Sequence, residues 1–137
     1  MASKGVDLIA KERARQVICE GWTAKHDDKH MQGELAWAAV CYAAPGRVYS
    51  RVYINDGGGP CITFNDPWPW DPVWDKRAAR TPVFPPCAEA ARTLRLRDLV
   101  KAGALIGAEI DRLLREQEAE DHLNIQQQRQ GDDHASD

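Results

Sequence analysis

Histidines 26 and 30 bracket Asp27 and Asp28 in the stretch GWTAKHDDKHMQGELAWAAVCYAA, residues 21–44. Two imidazoles and two carboxylates within five residues form a donor set that zinc and other transition metals accept, while magnesium prefers the carboxylates alone. The same residues also suit a solvated turn in which Asp27 or Asp28 caps a following helix and favours its positive dipole end. The ligand reading requires Glu34 and acids from another helix to converge on the cluster. Glu34 is the single acid in an otherwise apolar helical run, and a buried carboxylate is costly unless it is paired or bound to a cation. On an exposed first turn the helix dipole would stabilise it instead. Asp98, Glu109 and Asp111 are the acids of the last helical segment. Asp98 with Lys101 and Asp111 with Arg115 have the spacing of surface ion pairs.

A second concentration of chemistry is DPWPWDPVW, which places three tryptophans and three prolines in positions 67–74. Aromatic residues at this density suit stacking on a base, a partner interface, or a loop pinned over the core. The DGGGP stretch at 56–60 has no following Lys-Ser/Thr and opens no helix, so it is a poor phosphate loop. Cys19, Cys41, Cys61 and Cys87 are spread singly with no CxxC pair, which fits free thiols better than a thiolate zinc site.

The elements that must position these residues follow from periodicity. Val6, Ala10, Ala14, Val17 and Ile18 predict a first helix over residues 6–20, ended by Gly21. A second helix is expected from about 29–33 to Ala44, stopped by Pro45-Gly46. It is apolar on more than one face and should be central. RVYSRVYIN and CITFN, separated by DGGGP, read as a β-hairpin with Val48, Ser50, Val52 and Ile54 on one face. The prolines then forbid regular structure, and residues 75–90 read as an irregular loop. A long final helix carries Leu99, Ala102, Ile106, Ile110 and Leu113. Glycine costs a helix about 1 kcal/mol against alanine, so Gly103 and Gly107 predict a backbone or ligand lying close. The polar residues 124–137 read as a disordered tail.

The chain of 137 residues has the size of one domain, here residues 1–123 with 45–93 as a hairpin and loop insertion. A net charge of −3 gives no electrostatic footprint for nucleic acid or an anionic membrane. No apolar run reaches the roughly 18–20 residues of a membrane span, and the first residues lack a signal-peptide core. A cytoplasmic protein is expected.

ERARQ, then EGWTAKHDDKHMQGELAWAAVCYA, WPWDPVW and RDLVKAGALIGAEIDRL closely resemble, in the same order, a group of small phage and prophage proteins. The resemblance covers residues 11–44, 67–74 and 97–113. More distantly, this order is similar to MazG-type all-α nucleoside triphosphate pyrophosphohydrolases, which hold magnesium with ExxE on one helix and ExxD on the next. That resemblance implies a mainly α, MazG-like helical bundle in a host cell's cytoplasm, with Glu34 and Asp98 as catalytic acids and Mg2+ or Mn2+ as cofactor. The metal ligands would come from His26, Asp27, Asp28, His30, Glu34 and Asp98, with Glu20 in support. Trp37 and Ala38 stand where the second acid of the first pair belongs, and Lys101 replaces the last acid. Lys101, with Trp68 and Trp70, would then contact a nucleotide, which suits binding without hydrolysis. The remaining expectations are a homo-oligomer, because two helices bury little apolar surface, and docking of the tryptophan loop on a host protein.

Overall fold

The computed structural model describes residues 1–77 and 87–135. The chain is mainly helical with one small antiparallel sheet. Its order is α1 (Lys4–Glu20), α2 (Ala24–Asp27), α3 (Glu34–Ala43), β1 (Ser50–Asn55), β2 (Pro60–Asn65), a 3-10 turn (Pro72–Trp74) and α4 (Ala88–His134). No helix among the described residues is long and apolar enough to cross a membrane.

Local chemistry sets the boundaries. The Ser3 hydroxyl accepts from the Val6 amide at 3.3 Å at the start of α1. Gly21 closes the helix at φ 70°, a left-handed conformation that glycine adopts without a Cβ penalty. Thr23 caps α2 by accepting from the His26 amide at 3.4 Å. The expected second helix is therefore divided. Asp27 lies inside α2, and α3 begins after Gly33, at φ 79°, with no side-chain cap. Neither Asp27 nor Asp28 caps α3, because the turn at 28–33 separates them from its first amides. The far end of α3 is closed from outside: the Arg95 guanidinium donates to the carbonyls of Tyr42, Ala43 and Ala44, groups a helix terminus leaves unpaired.

Leu35, Ala38, Ala39 and Tyr42 of α3 pack on Ala102, Leu105 and Ala108 of α4, and this is the core. The small side chains bring the two helices close, and α1 packs on α4 beside them. In the hairpin Ser50 pairs with Asn65 and Asn55 with Pro60. Val48, Ser50 and Val52 are half-buried as alternation predicts, whereas Ile54 is exposed. Of the irregular 75–90 stretch, residues 78–86 lie outside the described residues and helix begins at Ala88, five residues before the expected end of the insertion.

Two differences from expectation concern α4. Helix continues to His134 where a disordered tail is expected, with every residue from 116 to 135 exposed. Glutamine, glutamate and arginine are good helix formers, and Gln126 meets His122 one turn earlier at 3.1 Å. The two glycines also differ. A Cβ on Gly103 would lie 2.6 Å from Cδ1 and 2.8 Å from Cγ1 of Ile9, whereas one on Gly107 would meet nothing within 4 Å. Gly103 is thus where α1 crosses α4, through a side chain rather than a backbone. Gly107→Ala is expected to raise stability by about 1 kcal/mol. Gly103→Ala should forfeit that gain to overpacking of about 1–3 kcal/mol. Thermal melts of the two variants measure the difference.

Candidate functional site

The histidine segment is fixed by one buried ion pair. Asp27 has no exposed surface, and its carboxylate accepts from the Arg13 guanidinium of α1. Arg13 also donates to the Trp22 carbonyl at 3.3 Å. His26 Nδ1 lies 3.3 Å from the other Asp27 oxygen. Asp28 pairs instead with Arg115 of α4 at 2.7 Å. Both aspartates are thus committed to arginines, and they tie α2 to α1 and α4.

The two histidines belong to an aromatic cluster. His26 stacks on Trp22 with centroids 5.9 Å apart and meets the His30 ring at 5.0 Å. His30 lies 5.2 Å from Trp70, which is itself 6.1 Å from Trp22 and 5.5 Å from Trp68. The tryptophan loop reaches this position because Asp66 and Asp71 accept from the amides of Trp68 and Val73, giving proline-stiffened turns. Arg77, nearly fully buried, joins Asp66 at 2.6 Å to Asp75 at 2.9 Å and lies over the Trp68 ring. Partial burial and the neighbouring His26 hold the His30 imidazole below its ordinary pKa, so it is neutral at pH 7.

These residues enclose a cleft of about 430 Å³ lined by Glu20, Trp22, His26, His30, Trp70, Asp71 and Trp74. Three indoles, two imidazoles and two carboxylates suit a flat, polar-edged ring: the aromatic faces stack and the carboxylates accept N–H groups. A second cleft of about 150 Å³ adjoins it and shares Glu20, Trp22, Trp70 and Trp74. Its remaining wall is mixed: Glu12, Arg15, Gln16, Lys76 and Lys101 line it beside the apolar Tyr42, Trp68 and Leu105. Arg15 is held by Glu12 and Glu20 at 2.8 and 2.9 Å. Lys101 has no carboxylate within 4 Å among the described residues, and its ammonium lies 5.7 Å from the Tyr42 ring centroid. Burial pulls its pKa below the ordinary lysine value against the opposing charge of Glu12, with Arg97 and Arg15 adding to the lowering. Gln16 is 2% exposed, and its Oε1 has no hydrogen-bond partner among the described residues.

No protein-family model, curated protein or solved structure matches the chain. The site is therefore read from its own chemistry.

The structure brings some of the expected site residues together and separates others. Trp70, His26 and His30 share the first cleft, while Trp68 and Lys101 line the second. Glu34 stands apart from Asp98. α3 and α4 run antiparallel, with Arg95 at the end of α3 and the charge of Arg112 felt at Glu34 near its start. Asp98 lies fourteen residues from Arg112, about 21 Å along α4. The two acids therefore sit at opposite ends of the helix pair. Partial burial works to raise the Glu34 carboxyl, but the amides of Glu34 and Gln32 outweigh it and hold the pKa low. Among the described residues no group of three or more His, Cys, Asp or Glu is arranged to hold a metal ion. Trp22, Asp71 and Arg13 are site residues that sequence reasoning passes over, whereas Trp74 belongs to the tryptophan concentration it singles out. The Glu12, Gln16, Glu20 spacing on α1 was the available signal for that wall of the second cleft.

Proposed function

We propose that this protein binds a nucleotide and does not hydrolyse it. The observation that carries this reading is the pair of adjoining clefts, an aromatic one and a smaller one into which Lys76 and Lys101 bring cations, joined through Trp22, Trp70 and Trp74. A base stacks between the indoles of the first cleft, and base–aromatic stacking contributes about 1–3 kcal/mol. Glu20 and Asp71 accept from its N–H edge. The phosphate reaches Lys101, whose ammonium stands in a partly desolvated position with no carboxylate within 4 Å among the described residues, and it gains from an anion's charge. Gln16 Oε1 is an acceptor left for a ligand hydroxyl or amine. Hydrolysis with Mg2+ or Mn2+ has less support, because Glu34 and Asp98 are distant and both aspartates of the 26–28 segment face arginines. The resemblance to small phage and prophage proteins supports a phage-encoded product acting in a host cell.

Titration calorimetry against nucleoside mono- and triphosphates and cyclic nucleotides tests this, with the ligand recovered and analysed afterwards. Saturable binding with intact ligand is expected. Lys101→Met should weaken it by about tenfold or more, the loss of one charge-assisted contact, with little change in melting temperature. Absence of binding to every nucleotide would overturn the reading, and release of pyrophosphate would replace it with the enzymatic one.

A further inference from the structure

Helix α4 has an apolar side that the described residues leave about half exposed. Leu99, Ile106, Ile110 and Leu113 are 41–52% exposed. Their separations of seven, four and three residues place them in one stripe, the spacing of a helix–helix seam. At 100° per residue the stripe is turned away from Leu105 and Ala108, which face the core, while Ala102, also in the core, lies at its edge. Charge along the same helix is divided. Residues 88–101 carry four cations against two acids, whereas residues 109–121 carry six acids against two cations.

A parallel pairing of two such helices would set like charges side by side. An antiparallel one sets the basic half against the acidic half. We propose that α4 pairs with α4 of a second copy of this chain, antiparallel, about a two-fold axis at Ile106. A two-fold contact is self-complementary, residue i meeting j and j meeting i. Here Ile106 meets itself, Leu99 meets Leu113 of the partner subunit, and Arg92 meets Glu120 of the partner subunit. Arg92 and Glu120 are both exposed and lie near the stripe. The overlap from 92 to 120 is about 42 Å long and lies on the outward side of the stretch of α4 whose inward side packs on α1 and α3. This inference is independent of the nucleotide reading, since neither cleft is lined by a stripe residue.

Sedimentation velocity of the full chain tests it. A species of twice the 15.3 kDa chain mass is expected, converting to monomer in Ile106→Asp with unchanged helical circular dichroism and a dissociation constant raised at least about 100-fold. A monomeric wild-type chain at high micromolar concentration overturns the proposal, as does a dimer that survives Ile106→Asp. The orientation has its own test in surface residues that leave the fold alone. Arg92→Glu should weaken the dimer, and adding Glu120→Arg should restore it. Failure of that restoration overturns the antiparallel register.

Discussion

Replacing Asp27 by alanine is expected to lower folding stability by about 3–5 kcal/mol, the range for breaking a buried ion pair by removing one partner. The Asp27 side chain has no exposed surface, and that of Arg13 is 19% exposed. Truncation leaves a largely desolvated guanidinium without its counter-charge. It also removes the neighbour of His26 Nδ1 and the tie between α1 and α2. Against a total stability of about 5–15 kcal/mol for a domain, this is a large fraction, equivalent to roughly 10–20 °C in melting temperature. Asp28 supplies the control. It makes an equally direct contact, 2.7 Å to Arg115, but both side chains are substantially exposed. Surface pairs of this kind contribute about 0–1 kcal/mol, so Asp28→Ala should shift the melt little. Equal melting temperatures for the two variants would contradict the assignment of Asp27 as the structural anchor. Replacing Arg13 and Asp27 together by apolar residues should recover part of the loss, because no uncompensated charge then remains buried.

The contrast between Asp27 and Asp28 also marks where sequence reasoning stops. α1, the hairpin and the body of α4 were legible because apolar periodicity and glycine or proline punctuation are local properties of the chain. Mainly helical architecture with one small hairpin follows from them. Two adjacent aspartates look identical by composition, and only tertiary packing gives one of them Arg13, fourteen residues earlier, and the other Arg115 on α4. The same limit applies to Glu34 and Asp98. Each sits on a helix as expected, but the antiparallel register of α3 on α4 decides that they stand far apart. The clefts were half legible. The tryptophan concentration and Lys101 stand out as residue types, whereas Trp22 joins them only because the loop folds back across 40 residues and more. Helix beyond residue 124 was missed because a polar, charged segment reads as unable to bury surface, yet good helix formers continue a helix that is already nucleated.

Replacing Trp68 and Trp70 together by alanine is expected to be the second large perturbation, costing about 4 kcal/mol. Fully buried tryptophans lose about 3–5 kcal/mol each on truncation. These two are half-buried and touch one another, so their effects are reduced and do not add. Trp68 meets the Tyr42 ring at 5.8 Å and donates its indole N–H to the Asp71 carbonyl at 3.1 Å. Trp70 rests between Trp22 and His30. Both pack against the α3–α4 core, so their removal opens a void that prolines 67, 69 and 72 prevent the loop from closing. Burial of the Tyr42 hydroxyl, which pushes its pKa up to about 12 and which accepts from the Lys76 amide at 3.0 Å, would be lost with it. Trp74 is the informative comparison, being 58% exposed and lining both clefts. Trp74→Ala should change stability by less than about 1 kcal/mol, while weakening nucleotide binding by the stacking contribution of one indole, roughly tenfold. A Trp68→Ala, Trp70→Ala protein that kept its melting temperature and lost co-purifying partners would instead mark the loop as a protein interface. Destabilisation is the expected result, because the loop's apolar area is spent on Tyr42 and Trp22 within the chain, leaving Trp74 as its most exposed indole.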